Sequence, residues 1–355
     1  MSSNQYWNRE TSERAQYSQD KQVTQPANII CLTDKNDDAN RKLYDGELPE
    51  GAKILTVASK FDDFEIKELK EANANVVFVS HPKAREPLAK LLEEIPSIKW
   101  VHSRSAGVDF ISSETLANSN VYLTNAKGCF SSTLAEYTMM AISYFAKDLP
   151  RLLKQKQDKN WEKYPVEEIR GATLGVVGYG DIGRAAAKLS KAYGMKVIAL
   201  RRNPDNSKDD PICDVVYKNS KESLHQLMSE SDYILCAAPL TPETKNMFDA
   251  AAFSKAKPNS VFINVGRGPI VDEMALIGAL KNGLIKGAAL DVFAVEPLPI
   301  ESELWDMPNL LASPHNMDMT KTFMHEATQF FIDENLPRFL REEPLLNQCD
   351  KAAGY

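Results

Sequence analysis

The sequence predicts a two-domain α/β protein with doubly wound parallel sheets. Three observations carry that prediction. Short apolar runs alternate with helix-patterned stretches in two successive series. At 355 residues the chain is longer than one hydrophobic core usually serves. The stretch "LGVVGYGDIGRAAAKL", residues 174 to 189, sets three glycines between an apolar run and a good helix former.

The first series opens with "ANIICLTD" (27–34) and "KILTVA" (53–58), which read as short buried strands. "NVVFVS" (75–80) is a third strand, "HPKAREPLAKLLEEIP" is helical, and "IKWVHSRSAGVDF" is a strand ending in a Gly-containing loop. "STLAEYTMMAISYFAKDLPRLLKQKQ" reads as one long helix capped by Ser131 or Ser132. The second series has seven strand candidates: "TLGVVGYG", "KVIALRR", "DVVYK", "YILCAAP", "SVFINVGRG", "GAALDVF" and "NLLASPH". A last helix, at about 320 to 341, follows it. This layout predicts a chain that enters a dinucleotide-binding domain (129–318) and returns to finish the first domain (28–128 plus 319–355). Residues 1–27 are polar, mix both charge signs, and are expected to be a disordered or arm-like extension.

Composition narrows the function classes. A formal charge of −7 argues against a generic nucleic-acid surface. No apolar stretch approaches the roughly 18–20 residues of a membrane span. The five cysteines (Cys31, Cys129, Cys213, Cys236, Cys349) show no CxxC spacing, so neither a metal site nor a disulfide framework is expected. Without a signal-like N-terminus, the expected location is the cytosol.

The glycines have separable jobs. Gly178 permits a tight turn, Gly180 lets the backbone approach a pyrophosphate, and Gly183 lets helix pack on strand. Asp181, Ile182 and Gly183 then open a helix whose N–H groups and dipole favour phosphate. At the end of the next strand, where a carboxylate would hold ribose hydroxyls, stand Arg201 and Arg202. Guanidinium groups pair with a 2′-phosphate, so NADP(H) is favoured, with NAD(H) the alternative.

Further motifs occur in a fixed order: "AAPLTPETKNMF", "INVGRGPIVDE", "GAALDVFAVEPLP" and "LLASPHNMD". With them the chain resembles the D-isomer-specific 2-hydroxyacid dehydrogenases, in particular the glyoxylate/hydroxypyruvate reductase-like branch, over about residues 50 to 355. The resemblance implies two Rossmann-like domains with the active site in the cleft between them. It makes Arg267 the substrate-binding arginine, Glu296 the catalytic carboxylate and His315 the acid/base. It places Ala238, Pro239 and Thr244 over the adenine side of the cofactor, Val265 and Gly266 beside it, and Asp291 at the nicotinamide carboxamide. It further implies that Ala106, Gly107 and Val108 offer N–H groups to the substrate carboxylate, that His81 lines the cleft, and that the helix after residue 131 helps form a homodimer. The absence of a C-terminal regulatory domain argues against feedback control of the serine-pathway kind.

The residue chemistry supports the same triad independently. Reducing a 2-keto acid needs a proton for the developing alkoxide and a clamp on the carboxylate. Histidine suits the first task near neutral pH, and a neighbouring carboxylate orients its ring. Arginine suits the second, with a planar fork that also polarises the carbonyl oxygen. The expected activity is reduction of a small 2-keto acid to the D-2-hydroxy acid. Formate dehydrogenase is a rival on this fold, but its pattern carries glutamine where Glu296 stands. A dinucleotide-sensing, corepressor-like interaction protein is the alternative from another class. The match departs from the family after the histidine, where Asn316-Met317-Asp318 replaces the small residues of many relatives. Cys129, with no base paired to it, reads as a buried structural thiol.

Overall fold

In the computed structural model, residues 22–351 are described, apart from 46, 47 and 208 and the side chain of Lys42. Most of the arm expected over 1–27 therefore lies outside the described residues. The chain divides into two compact units: 1–129 with 321–355, and 130–320.

The first unit contains β1 (Ala27–Leu32), β2 (Ala52–Ala58), β3 (Val76–Val79), β4 (Trp100–Ser103) and β5 (Tyr122–Asn125). They form one parallel sheet in the order β2-β1-β3-β4-β5. Alternate residues of β1 feed opposite cores: Ile30 and Leu32 pack with Leu88 and Leu91, Ile29 and Cys31 with Phe331 and Leu336. A sheet covered on both faces needs apolar residues at every position, which is why its strands read as continuous runs.

The second unit contains β6 (Thr173–Val177), β7 (Lys196–Arg201), β8 (Val215–Lys218), β9 (Tyr233–Cys236), β10 (Val261–Asn264), β11 (Gly287–Leu290) and β12 (Leu310–Ala312). Their order is β12-β11-β10-β9-β6-β7-β8, all parallel. The chain winds outward from β6 in one direction and from β9 in the other. The switch point between them is where such sheets bind ligands, beyond the carboxyl ends of the strands. Val176, Leu235 and Ile263 pack under the helix Ser131–Ala146; Val177, Ile234 and Phe262 pack on the other face with Leu224 and Phe253.

Two local expectations are corrected. The single long helix is two, Ser131–Ala146 and Leu149–Asp158. Asp148 breaks it in the left-handed region, at φ 49°, and its carboxylate caps the second helix by accepting the Arg151 N–H. Pro150 then sits in the first turn, where its missing N–H costs nothing. Nor does Ser131 or Ser132 cap the first helix: Phe130 is the flanking residue, and Ser131 is already helical. No helix among the described residues is long and apolar enough to cross a membrane.

Candidate active site

The glycine-rich turn follows β6. Gly178 has φ +95°, and a methyl group there would lie 2.4 Å from the Ala238 backbone nitrogen. Only glycine lets the turn after β6 press against the loop after β9. Gly183 packs as tightly, since a methyl group would meet the Gly178 carbonyl oxygen at 2.5 Å and Val176 at 2.8 Å. Gly180 is the opposite case: exposed, flanking the helix Asp181–Ala192, with nothing within 4 Å of where a side chain would start. The Ile182 and Gly183 N–H groups at that helix start have no acceptor among the described residues. Two glycines that close the turn and one that leaves it open make a cradle suited to a pyrophosphate.

Around the cradle, Arg201 at the end of β7 is half-buried, and its guanidinium hydrogen-bonds the Ser207 hydroxyl; Arg202 beside it is exposed. Glu243 is held below the usual carboxylate range by the Thr241 hydroxyl, its own backbone N–H and, more weakly, Arg202. Thr244 turns its hydroxyl onto the Pro239 carbonyl at 2.7 Å, fixing the loop that carries Ala238. Val265 and Gly266 are buried after β10. The motif did not reveal a brace beside the turn: Arg184 donates to Asp210 at 2.7 Å, and the Tyr179 hydroxyl donates to the same carboxylate at 3.2 Å. The position of Arg184 straight after Gly183 was its one sequence signal.

The loops after β10, β11 and β12 carry the three residues to which the resemblance points, Arg267, Glu296 and His315. Arg267 follows β10 and is half-buried; the Asn264 side chain accepts the Gly266 N–H at 3.0 Å and donates to the Arg267 carbonyl at 3.2 Å. A methyl group on the next residue, Gly268, would sit 1.8 Å from the Phe293 carbonyl oxygen, so the first loop lies flat against the second. In the second loop, one oxygen of Glu296 accepts the Phe293 N–H at 2.9 Å. The other stands 2.7 Å from Nδ1 of His315, in the third loop. The two side chains are 36% and 40% exposed, open enough to meet a ligand. His315 has φ +50°, a left-handed conformation unusual for a side-chain-bearing residue.

Asp291 lies under this arrangement and is 2% exposed. Its carboxylate accepts the Ser313 hydroxyl at 2.8 Å and the N–H groups of Asn316 and Met317 at 3.1 and 3.3 Å. Burial pushes its carboxyl above the usual range, although these bonds and the nearby His315 pull it down. The hydroxyl of Ser313, which no motif singled out, also reaches the Tyr137 hydroxyl oxygen at 3.4 Å. Asp291 and Ser313 therefore hold the backbone on both sides of His315.

In the first unit, the turn after β4 carries Ala106, Gly107 and Val108. The Asn125 side chain donates to the Ala106 carbonyl at 2.5 Å, and Arg85 donates to the Asp109 carbonyl at 2.7 Å. With carbonyls tied back, the three N–H groups of 106–108 have no acceptor among the described residues, as an anion-binding turn requires. His81 opens the loop after β3, half-buried, with Nδ1 accepting the Lys83 N–H at 3.2 Å. Cys129 is buried. Among the described residues no three His, Cys, Asp or Glu side chains converge on a metal position.

Residues 139–316 match the D-isomer-specific 2-hydroxyacid dehydrogenase NAD-binding domain. The chain belongs to that family. It is 32% identical over 298 residues to a glyoxylate reductase of Thermococcus litoralis, spanning 81% of this chain and 86% of the relative. It is 34% identical over 237 residues to glyoxylate/hydroxypyruvate reductase B of Klebsiella pneumoniae, spanning 64% and 71%. A D-isomer-specific 2-hydroxyacid dehydrogenase from Xanthobacter autotrophicus, solved with NADPH and MES, superposes with a TM-score of 0.76 at 28% identity, covering 93% of this chain and 100% of that one. The matched NAD-binding domain falls within the second unit, and the family accounts for both parallel sheets.

Proposed function

We propose that this family member is an NADP(H)-preferring reductase of small 2-keto acids, glyoxylate and hydroxypyruvate foremost, that yields D-2-hydroxy acids. The observation that carries the reading is the 2.7 Å pairing of His315 with Glu296, one loop from Arg267. Gly178, Gly180 and the helix start at Asp181–Gly183 would hold the pyrophosphate, with Arg201 and Arg202 toward a 2′-phosphate. When bound, the nicotinamide supplies a hydride to the carbonyl carbon.

The chain's own residues do the rest. Arg267 clamps the substrate carboxylate and draws electron density toward the carbonyl oxygen. Glu296, steadied by the Phe293 N–H, fixes the His315 ring through Nδ1 and stabilises imidazolium, so Nε2 presents the proton to the nascent alkoxide. In the reverse direction the neutral ring takes that proton back. The turn at Ala106–Val108 suits a carboxylate by the same chemistry.

A homodimer and a cytosolic setting complete the proposal. Leu152, Leu153 and Trp161 are exposed on the helix Leu149–Asp158 and just beyond it, Trp161 at 95%, which supports burial against a second copy. No disulfide is formed by the five cysteines among the described residues, which suits a reducing compartment.

The test is parallel initial-rate oxidation of NADPH and NADH with glyoxylate, hydroxypyruvate, pyruvate and phenylpyruvate. Rapid NADPH consumption on the two smallest supports the reading. Tight cofactor binding with no turnover on any of the four would favour the sensing protein instead. Arg201→Asp is expected to swing preference toward NADH by about tenfold; an unchanged ratio would place 2′-phosphate recognition elsewhere.

A further inference from the structure

One carboxylate ties the segment after β7 to the glycine turn. An oxygen of Asp210 accepts the Arg184 Nε–H at 2.7 Å and the Tyr179 hydroxyl at 3.2 Å; the other accepts the Ile212 N–H at 3.1 Å. Tyr179 stands between Gly178 and Gly180, and Arg184 follows Gly183 in the first turn of the helix Asp181–Ala192. The Asp210 side chain is only 11% exposed. Burial alone would raise its carboxyl, yet Arg184, the Ile212 N–H and Tyr179 hold it below the usual carboxylate range. The Tyr179 hydroxyl is raised by burial and by the Asp210 charge, so it keeps its proton and donates it.

Asp210 also reaches the ribose end of the cradle. Its N–H donates to the Ser207 carbonyl at 3.2 Å, and the Ser207 hydroxyl accepts the Arg201 guanidinium. An unbroken run of hydrogen bonds thus leads from the glycine turn at Tyr179, through Asp210 and Ser207, to Arg201. A dinucleotide with a 2′-phosphate presents two anionic groups at a spacing set by its own ribose. The protein meets both without rearrangement only if the Arg201 guanidinium is already held at a matching distance from the turn. A dinucleotide lacking that phosphate makes no such demand. We infer that Asp210 is a positioning residue for the cofactor: it sets the Arg201 guanidinium against the pyrophosphate turn and so favours a dinucleotide carrying a 2′-phosphate.

This inference rests on the NADP(H) reading of the site, and the experiment separates the two. Fluorescence titration of NADPH and of NADH into the wild type, Tyr179→Phe and Asp210→Ala reads affinity without turnover. In Asp210→Ala the Kd for NADPH is expected to rise about tenfold and that for NADH less than about threefold. Tyr179→Phe keeps every charge and removes one hydrogen bond, so NADPH should weaken about threefold and NADH hardly at all. A general loss of structure would lower both affinities alike, so the ratio of the two carries the result. An unchanged ratio in Asp210→Ala, or a gain in NADPH affinity once Arg184 is released, overturns the inference. If that variant does not fold, an unchanged ratio in Tyr179→Phe overturns it. Failure of the cofactor reading shows differently and takes the inference with it: a wild type that binds NADPH no more tightly than NADH.

Discussion

Nδ1 of His315 and Oε2 of Glu296 stand 2.7 Å apart, while the other oxygen of that carboxylate accepts the Phe293 N–H at 2.9 Å. The carboxylate is thus fixed at one oxygen and spends the other on the ring. Replacing His315 by Ala is expected to lower kcat by roughly 10²–10⁴-fold, the usual cost of losing a general acid. Glu296→Gln should also lower kcat, because a neutral amide cannot stabilise imidazolium. Steady-state rates at saturating cofactor check both, and a near-wild-type His315→Ala would remove the residue from the chemistry.

The glycine cradle predicts a split between folding and binding. Gly178→Ala forces a side chain into φ +95° and against the Ala238 backbone, so its melting temperature should fall. Gly180→Val finds open space and should melt near the wild type, yet bind NADPH about tenfold or more weakly, since the added bulk stands where phosphate would approach. Thermal unfolding with fluorescence titration of NADPH reads both quantities. A Gly180→Val protein with undiminished affinity would contradict the placement of the pyrophosphate.

Asp291 is a positioning residue by its contacts. Asp291→Ala strands two N–H groups and leaves the Ser313 hydroxyl only its longer contacts to Leu290 and Tyr137, which should cost about 1–3 kcal/mol of stability. It should also loosen the backbone around His315 and depress kcat. Urea unfolding together with kinetics tests this, and a loss of stability with unaltered kcat would separate Asp291 from the histidine.

His102 makes acid sensitivity predictable. The ring is fully buried among Phe78, Trp100 and Phe331, with Nδ1 2.7 Å from the Thr124 hydroxyl and Nε2 without a partner among the described residues. Burial depresses its pKa to about 3, so the folded protein keeps it neutral. Below the ordinary value of about 6.5 the unfolded chain takes up a proton that the folded one refuses. Stability is therefore full above that value and falls as pH drops, by about 1.4 kcal/mol per unit from this residue. Between pH 7 and 5 the wild type should lose about 2 kcal/mol more than His102→Gln in urea unfolding. Equal losses would mean the ring is not held neutral.

The strands of both sheets were legible because burial on two faces demands uninterrupted apolar runs, as in "VVFV" and "YILC". The glycine turn was legible because each glycine answers a distinct steric need. The helix break at Asp148 was less so, since apolar periodicity continues through it and only the Asp-Leu-Pro spacing marks a new start. Contacts between residues far apart in the chain left no local trace. Asp291 reaches across to the backbone of Asn316, and Arg184 reaches Asp210 only once β6 and β7 lie side by side. Side-chain type pointed to His315 and Glu296 as a pair, and the fold sets them 2.7 Å apart; the supports beneath them emerged only from the fold.

The left-handed backbone at His315 has a consequence for how this protein can be improved. A residue with a Cβ at φ +50° pays about 1 kcal/mol that glycine or asparagine would largely avoid. A selection for heat resistance alone would thus be drawn to His315→Gly or His315→Asn, substitutions that relieve the turn and remove the proposed proton donor. Stability and activity are set against each other at a single peptide unit, and the imidazole persists there only while turnover is what is being selected.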